Sequence, residues 1–182
     1  MNEDELDRMC VERCLRGDTD AFAEILDRYE KPVYNAIIRL GAGREEARDV
    51  SQQVFLKVYE RLETYDPARK FFSWLYRVAI NETINAMKSH RVWEPLSEGI
   101  KDQHPTPEEE LAANEEERSM QKALLALDPK YRLALIARHF LHLSYDEAAQ
   151  VLSVPVKTVK SRLFTARQLL REIIEGQRHA AR

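Results

Sequence analysis

An all-helical fold divided into two small bundles is what this sequence predicts, and three observations predict it. Apolar residues recur at spacings of three and four with almost no alternating runs, which is the signature of helices with one buried face. Glycine is scarce, five residues in 182. Between residues 94 and 113 the helical pattern lapses into a stretch rich in proline and acid, EPLSEGIKDQHPTPEEELAA, with the composition of a linker. The chain therefore reads as residues 1–93, a linker over 94–113, and a second bundle over 114–182.

The first helix is expected from Asp4 to Arg16, turning Leu6, Cys10 and Cys14 inward, with Gly17 as its stop. Asp18 or Asp20 can cap the next, which carries Phe22, Ile25, Leu26 and Tyr29. Pro32 should kink or break that helix before it resumes through Val33, Ile37 and Leu40, and Gly41 and Gly43 close it. A third helix, about Glu45 to Leu62, gathers Ala47, Val50, Val54, Val58 and Leu62 on one side. Asp49, Gln52, Gln53, Leu56 and Glu60 are left near the other. After the turn-like TYDPARK a fourth helix runs from about Phe72 to His90.

Charge separates the same segments. Residues 1–93 hold 15 basic and 17 acidic side chains, 94–118 hold 2 and 9, and 119–182 hold 11 and 5, net −2, −7 and +6. A formal net charge of −3 thus conceals a basic C-terminal bundle behind an acidic hinge.

Within that basic bundle, helices are expected near Asn114 to Leu127 and Pro129 to His142, with Pro129 at a first helical position. Ser144-Tyr-Asp-Glu147 has the form of a capping box, starting a short helix that runs to about Leu152. Ser153-Val154-Pro155 breaks it, and a second helix begins beside Pro155. Two helices joined by so tight a turn, the second basic, form the arrangement that lays a helix in the DNA major groove.

Val159, Leu163, Ala166, Leu170 and Ile173 form the buried stripe of that second helix, leaving Lys157, Lys160, Ser161, Phe164, Arg167 and Arg171 off it. A solvated basic face is the ordinary alternative, and three features argue against it. From Ser153 to Arg171 there are five basic residues and no acid, so the ion pairs that steady an exposed helix are absent. Phe164 is a large apolar side chain off the core stripe, suited to a thymine methyl. The capped helix and tight turn stand immediately upstream. Arg162, Arg167 and Arg171 would then neutralise phosphates, while Lys160, Ser161 and Phe164 reach base edges.

Other classes find little support. No apolar run approaches the roughly 20 residues that span a bilayer, and MNEDELDRMC is acidic where a signal peptide is basic, so a cytoplasmic location is expected. Cys10 and Cys14 share a helical face without the second pair a structural zinc site needs, and are read as semi-buried helix residues. His139 and His142 are read as helix surface or core. No Gly-rich phosphate loop, metal cluster or nucleophile–base pair is present. No catalysis, cofactor, metal or small-molecule substrate is expected.

The stretch YDEAAQVLSVPVKTVKSRLFTARQLLR resembles the helix-turn-helix of bacterial sigma factors that reads the minus-thirty-five promoter element. DAFAEILDRY, ARDVSQQVFLKVYERL and FFSWLYRVAINETINAMKSHR resemble, in order, sigma region two of the extracytoplasmic-function class. The resemblance covers nearly the whole chain. It implies a transcription initiation factor that binds core RNA polymerase through the β′ clamp and the β flap, selects and opens promoter DNA, and is held by an anti-sigma factor, in some cases at the inner membrane face. A helix-turn-helix regulator that never joins polymerase is the alternative.

Position by position, the resemblance assigns clamp docking to Asp49, Gln52, Gln53 and Leu56. It assigns minus-ten melting and capture of a flipped base to the loop Tyr65 to Phe71 and the helix after it. The candidates there are Tyr65, Arg69, Lys70, Trp74, Tyr76, Arg77, Asn81, Lys88 and Arg91, since an unstacked base needs new stacking surfaces and a basic track. The minus-thirty-five set is Lys157, Thr158, Lys160, Ser161, Arg162, Phe164, Arg167 and Arg171. Three positions depart from the family pattern: Gln53 for an acid, Asn85 for a common Asp, and Ser153 at a turn position that is often Gly. The acids Glu108, Glu109 and Glu110 of the linker suit a path along the basic RNA exit channel.

Overall fold

The computed structural model describes residues 3–89 and 115–180, and every regular element among them is helical. The first bundle comprises α1 (Glu3–Leu15), α2 (Asp20–Leu40), α3 (Arg44–Glu60), a 3-10 turn (Leu62–Thr64) and α4 (Phe71–Ser89). The second comprises α5 (Glu115–Leu125), α6 (Pro129–Leu135), a π turn (Ile136–Phe140), α7 (Tyr145–Leu152) and α8 (Val156–Ala180). The linker read over 94–113 lies outside the described residues, as does Arg91.

Helix ends follow the capping chemistry of the sequence. The Asp18 carboxylate accepts from the amides of Asp20 (3.1 Å) and Ala21 (3.3 Å) at the start of α2. Asp128 accepts from the Lys130 amide at 3.0 Å, with Pro129 in the first turn of α6. Ser144 and Glu147 close the expected capping box: Ser144 Oγ accepts from the Glu147 amide (3.2 Å), and Glu147 Oε2 from the Ser144 amide (2.7 Å). Gly17 (φ 94) and Gly41 (φ 116) end α1 and α2 in the left-handed region that glycine enters without steric cost.

Two expectations are corrected. Pro32 does not break its helix, because α2 is continuous from Asp20 to Leu40. Pro32 itself is exposed, while Val33, Ala36, Ile37 and Leu40 beyond it are buried, and that burial outweighs one lost backbone bond. The helix expected to run from Pro129 to His142 leaves α geometry after Leu135, widens into the π turn, and ends with His142 at φ 52.

In the first bundle Ile25, Val33, Ile37, Val54, Val58, Leu75 and Ile80 are fully enclosed; in the second, Leu124, Ile136, Leu143, Val159 and Leu163. The two interiors join in one cluster, because α4 packs on α7 and α2 packs on α5 and the π turn. Arg132 closes this seam. Its guanidinium, on a residue 7% exposed, donates to the carbonyls of Leu40 (2.6 Å), Leu124 (3.0 Å), Leu125 (2.7 Å) and Leu127 (3.0 Å). It thereby satisfies the free ends of α2 and α5 at once. Gln121 Nε2 adds a bond to the Ile38 carbonyl at 2.9 Å, and the Arg39 guanidinium lies 4.6 Å from the Phe140 ring centre.

Candidate nucleic-acid interface

The basic helix α8 buries Val159, Leu163 and Ala166 and half-buries Leu170 and Ile173, the stripe read from spacing. Lys157, Lys160, Ser161, Phe164, Arg167 and Arg171 are exposed, and Thr158 and Arg162 are half-buried. Phe164 is 65% exposed, so a side chain whose burial is worth about 2 kcal/mol stands in water. Cations flank it at Lys160 and Arg167, on the turns before and after. Ser153 turns the chain from α7 into α8 in left-handed geometry (φ 53, ψ 42), which a non-glycine residue adopts only at a cost of about 1–2 kcal/mol.

The second candidate surface lies at the loop before α4. Arg69 and Lys70 are exposed, as are Arg77 and Asn81 on α4, and Trp74 is half-buried. Trp74 packs against Tyr65 and Phe71, with ring centres 5.8 Å apart in each pair, so one edge belongs to the core while the rest is accessible. Tyr65 and Tyr76, the other two aromatic candidates, are both buried. Tyr65 meets Phe71 edge-to-face at 5.4 Å and donates its hydroxyl to the Arg69 carbonyl at 2.5 Å, so it shapes the loop and offers no free face for stacking. Burial pushes the Tyr76 hydroxyl up to about 12. Lys88 lies on the last turn of α4.

This loop does not stand free of the second bundle. Lys70 Nζ lies 3.4 Å from Glu147 Oε1, and Arg69 Nη1 donates to Gln150 Oε1 at 3.2 Å, both partners on α7. Glu147 titrates below the usual carboxylate range: burial opposes this, while its bonds with Ser144 and the charge of Lys70 outweigh it. Sequence reading does not find this pairing, since periodicity says which face a residue occupies and nothing of which distant element covers it.

A third surface lies on the far side of α3. Asp49, Gln52, Gln53 and Leu56 are all exposed, Leu56 by 62%. Beside them α2 and α3 enclose a groove of about 700 Å³ lined by Phe22, Leu26, Tyr34, Gln52, Leu56 and Tyr59, among others. Sequence reading places Phe22 and Leu26 on the second helix without a role and passes over Tyr59. The spacing holds a signal: Gln52, Leu56 and Tyr59 recur at four and three along α3, an interrupted apolar stripe opposite the buried one. Among the described residues, no three His, Cys, Asp or Glu side chains gather to hold a metal, and no helix is long and apolar enough to cross a membrane.

The described residues thus present three surfaces: the face of α8 from Lys157 to Arg171, basic and without an acid, a basic loop beside Trp74, and the groove between α2 and α3. Comparison with known proteins gives the class. Residues 25–92 match the sigma-70 region 2 family and residues 117–170 the sigma-70 region 4 family. The chain is 32% identical to the ECF RNA polymerase sigma factor SigW of Bacillus subtilis, over 89% of this chain and 93% of that one. It is 32% identical to the RNA polymerase sigma-H factor of Pseudomonas aeruginosa, over 94% and 95%. In fold it is similar to CnrH, solved in complex with the cytosolic domain of CnrY (TM-score 0.73, 24% identity, 94% and 98% covered). It is also similar to RpoE of Bartonella quintana, solved with the anti-sigma factor NepR (0.71, 22%, 85% and 96%). The chain belongs to the extracytoplasmic-function (ECF) class of sigma-70 RNA polymerase sigma factors. That family is made of non-catalytic initiation factors.

Proposed function

We propose that this protein is the promoter-specificity subunit of a bacterial RNA polymerase, acting in the cytoplasm without covalent chemistry of its own. Asp49, Gln52, Gln53 and Leu56, with the groove beside them, dock the polymerase clamp. Arg69, Lys70, Trp74, Arg77 and Asn81 hold the non-template strand of the minus-ten element, and α8 reads the minus-thirty-five duplex. The observation that carries this reading is the outward face of α8 from Lys157 to Arg171, where Phe164 stands exposed among cations and no acid interrupts them. Exposed aromatic area beside basic residues fits a base edge framed by phosphates.

An anti-sigma factor is the expected regulator. CnrH and RpoE were each solved with such a protein or with a named partner's cytosolic domain, and the α2–α3 groove offers an apolar helix a place to bind. Held there, a partner helix would occupy the surface that the clamp needs.

Transcription in vitro tests the assignment. Purified protein with sigma-free core polymerase, supplied with genomic fragments of the source organism, should yield transcripts with discrete starts that depend on the protein. Aligning the DNA upstream of those starts gives both promoter elements. Specific duplex binding without any such transcripts would favour a regulator that acts apart from polymerase.

A further inference from the structure

The segment between α6 and α7 holds two uncommon backbone features. The π turn over Ile136–Phe140 shifts the register of the residues after it, and His142 sits at φ 52. Both cost free energy relative to a plain helix and turn, and π turns concentrate at functional positions. Their effect can be read from where they deliver side chains. Arg138 donates to the Leu143 carbonyl at 3.1 Å, and its guanidinium lies 5.3 Å from the centre of the Tyr145 ring. The Lys160 ammonium lies 5.3 Å from the same ring centre. Further along α8, Arg167 Nη2 is 3.3 Å from His139 Nε2. Arginine has no acceptor, so Nε2 carries the lone pair and the imidazole is neutral with its proton on Nδ1. Partial desolvation and the nearby Arg167, Arg138 and His142 lower the pKa of His139, in keeping with that form.

We infer that Tyr145 and His139 are positioning residues of the DNA-reading surface, the phenol ring fixing the Lys160 ammonium and the imidazole fixing the Arg167 guanidinium before DNA arrives. Lysine and arginine each lose conformational freedom when they bind, and a side chain already held in place loses less. The two held cations are the ones assigned different tasks, Lys160 at base edges and Arg167 at phosphates. Ring and imidazole therefore control different properties: Tyr145 controls discrimination and His139 controls general affinity. The inference rests on the reading of α8 as the duplex-reading helix.

The test uses holoenzyme on the promoter identified by transcription and on single-base variants of its upstream element. Tyr145→Leu should reduce discrimination about two- to fivefold at the bases that Lys160→Ala affects, and Tyr145→Phe should retain it. In a Lys160→Ala background Tyr145→Leu should add no further loss. His139 is exposed, so its replacement leaves the core untouched and keeps the test available if the Tyr145 variant folds poorly. His139→Leu should raise dissociation from all sequences alike, about two- to tenfold, with rescue by His139→Gln, whose carbonyl can accept from Arg167. Selective loss in Lys160→Ala with none in Tyr145→Leu, or His139→Leu indistinguishable from wild type, overturns the positioning role. Equal weakening of every sequence by Lys160→Ala overturns instead the assignment of Lys160 to a base.

Discussion

Lys70 and Glu147, far apart in sequence and on different bundles, meet at 3.4 Å and tie the loop before α4 to the first helix of the helix-turn-helix. Glu147 serves two structures at once, since its other oxygen closes the capping box of α7. Both side chains retain solvent contact, which limits the pair to about 0–1 kcal/mol. Lys70→Glu should therefore weaken the contact between the two bundles by up to about 1 kcal/mol, and the loss should be smaller in a Glu147→Gln background, where the charge is gone but the Gln carbonyl can still accept from the Ser144 amide. Hydrogen exchange of the α4 and α7 amides, compared across the single and double variants in low salt, measures it. Equal exchange in wild type and Lys70→Glu would show that the pair contributes nothing.

Arg132 places a stricter demand on its neighbours. A Cβ built on Gly41 would lie 2.8 Å from Arg132 Nη1, 3.2 Å from Leu125 Cδ2 and 3.3 Å from Met87 Cε, whereas one on Gly17 meets nothing within 4 Å. Both glycines are left-handed, so alanine carries the backbone penalty of about 1–2 kcal/mol at either site. Only at Gly41 does crowding of about 1–3 kcal/mol add to it. Urea denaturation should thus rank Gly41→Ala well below Gly17→Ala. Equal losses would mean that Arg132 moves aside freely.

These two seams mark the limit of what sequence makes legible. The buried stripes of α3 and α8, the capping box at Ser144 and the Pro129 start obey local rules, where spacing and side-chain chemistry within one turn suffice. Pro32 defeats those rules because propensity is local while the burial of Val33, Ile37 and Leu40 is tertiary. The burial of Tyr65 and Tyr76 is not legible because an aromatic in or beside a loop looks the same in sequence whether it packs inward or outward. The π turn leaves no spacing signature in IARHF. Arg132 reads as one more surface cation, since four carbonyl acceptors drawn from two helix ends cannot be inferred from a one-dimensional pattern.

Asp7 gives a pH dependence with a definite sign. Its carboxylate is enclosed, accepts from the Tyr29 hydroxyl at 2.6 Å and pairs with Arg28, joining α1 to α2. Burial raises its pKa above 3.8 in spite of both partners. The folded chain thus holds that proton more tightly than the unfolded one. The resulting stability is full below the unfolded value and is lost as pH rises through the folded value. Asp7→Asn does not titrate, so the stability of wild type relative to this variant should fall as pH rises from the ordinary aspartate value through the raised one. Denaturant titrations of both chains at several pH values measure the difference, and a rising or flat trend would contradict the assignment.

Leu56 allows the proposed docking surface to be tested apart from folding. It is 62% exposed, so Leu56→Asp removes little buried area and should shift stability by no more than about 0.5 kcal/mol. At the edge of the α2–α3 groove, the same change sets a carboxylate against an apolar contact, where an unpaired buried charge costs several kcal/mol. Assembly with core polymerase should weaken by more than about tenfold, corresponding to about 1.4 kcal/mol. Duplex binding through α8, on the other bundle, should be unchanged. Loss of both activities together would indicate misfolding, which the unfolding midpoint reports independently. Full retention of polymerase binding would move the docking surface off α3, to be sought on the remaining faces of α2.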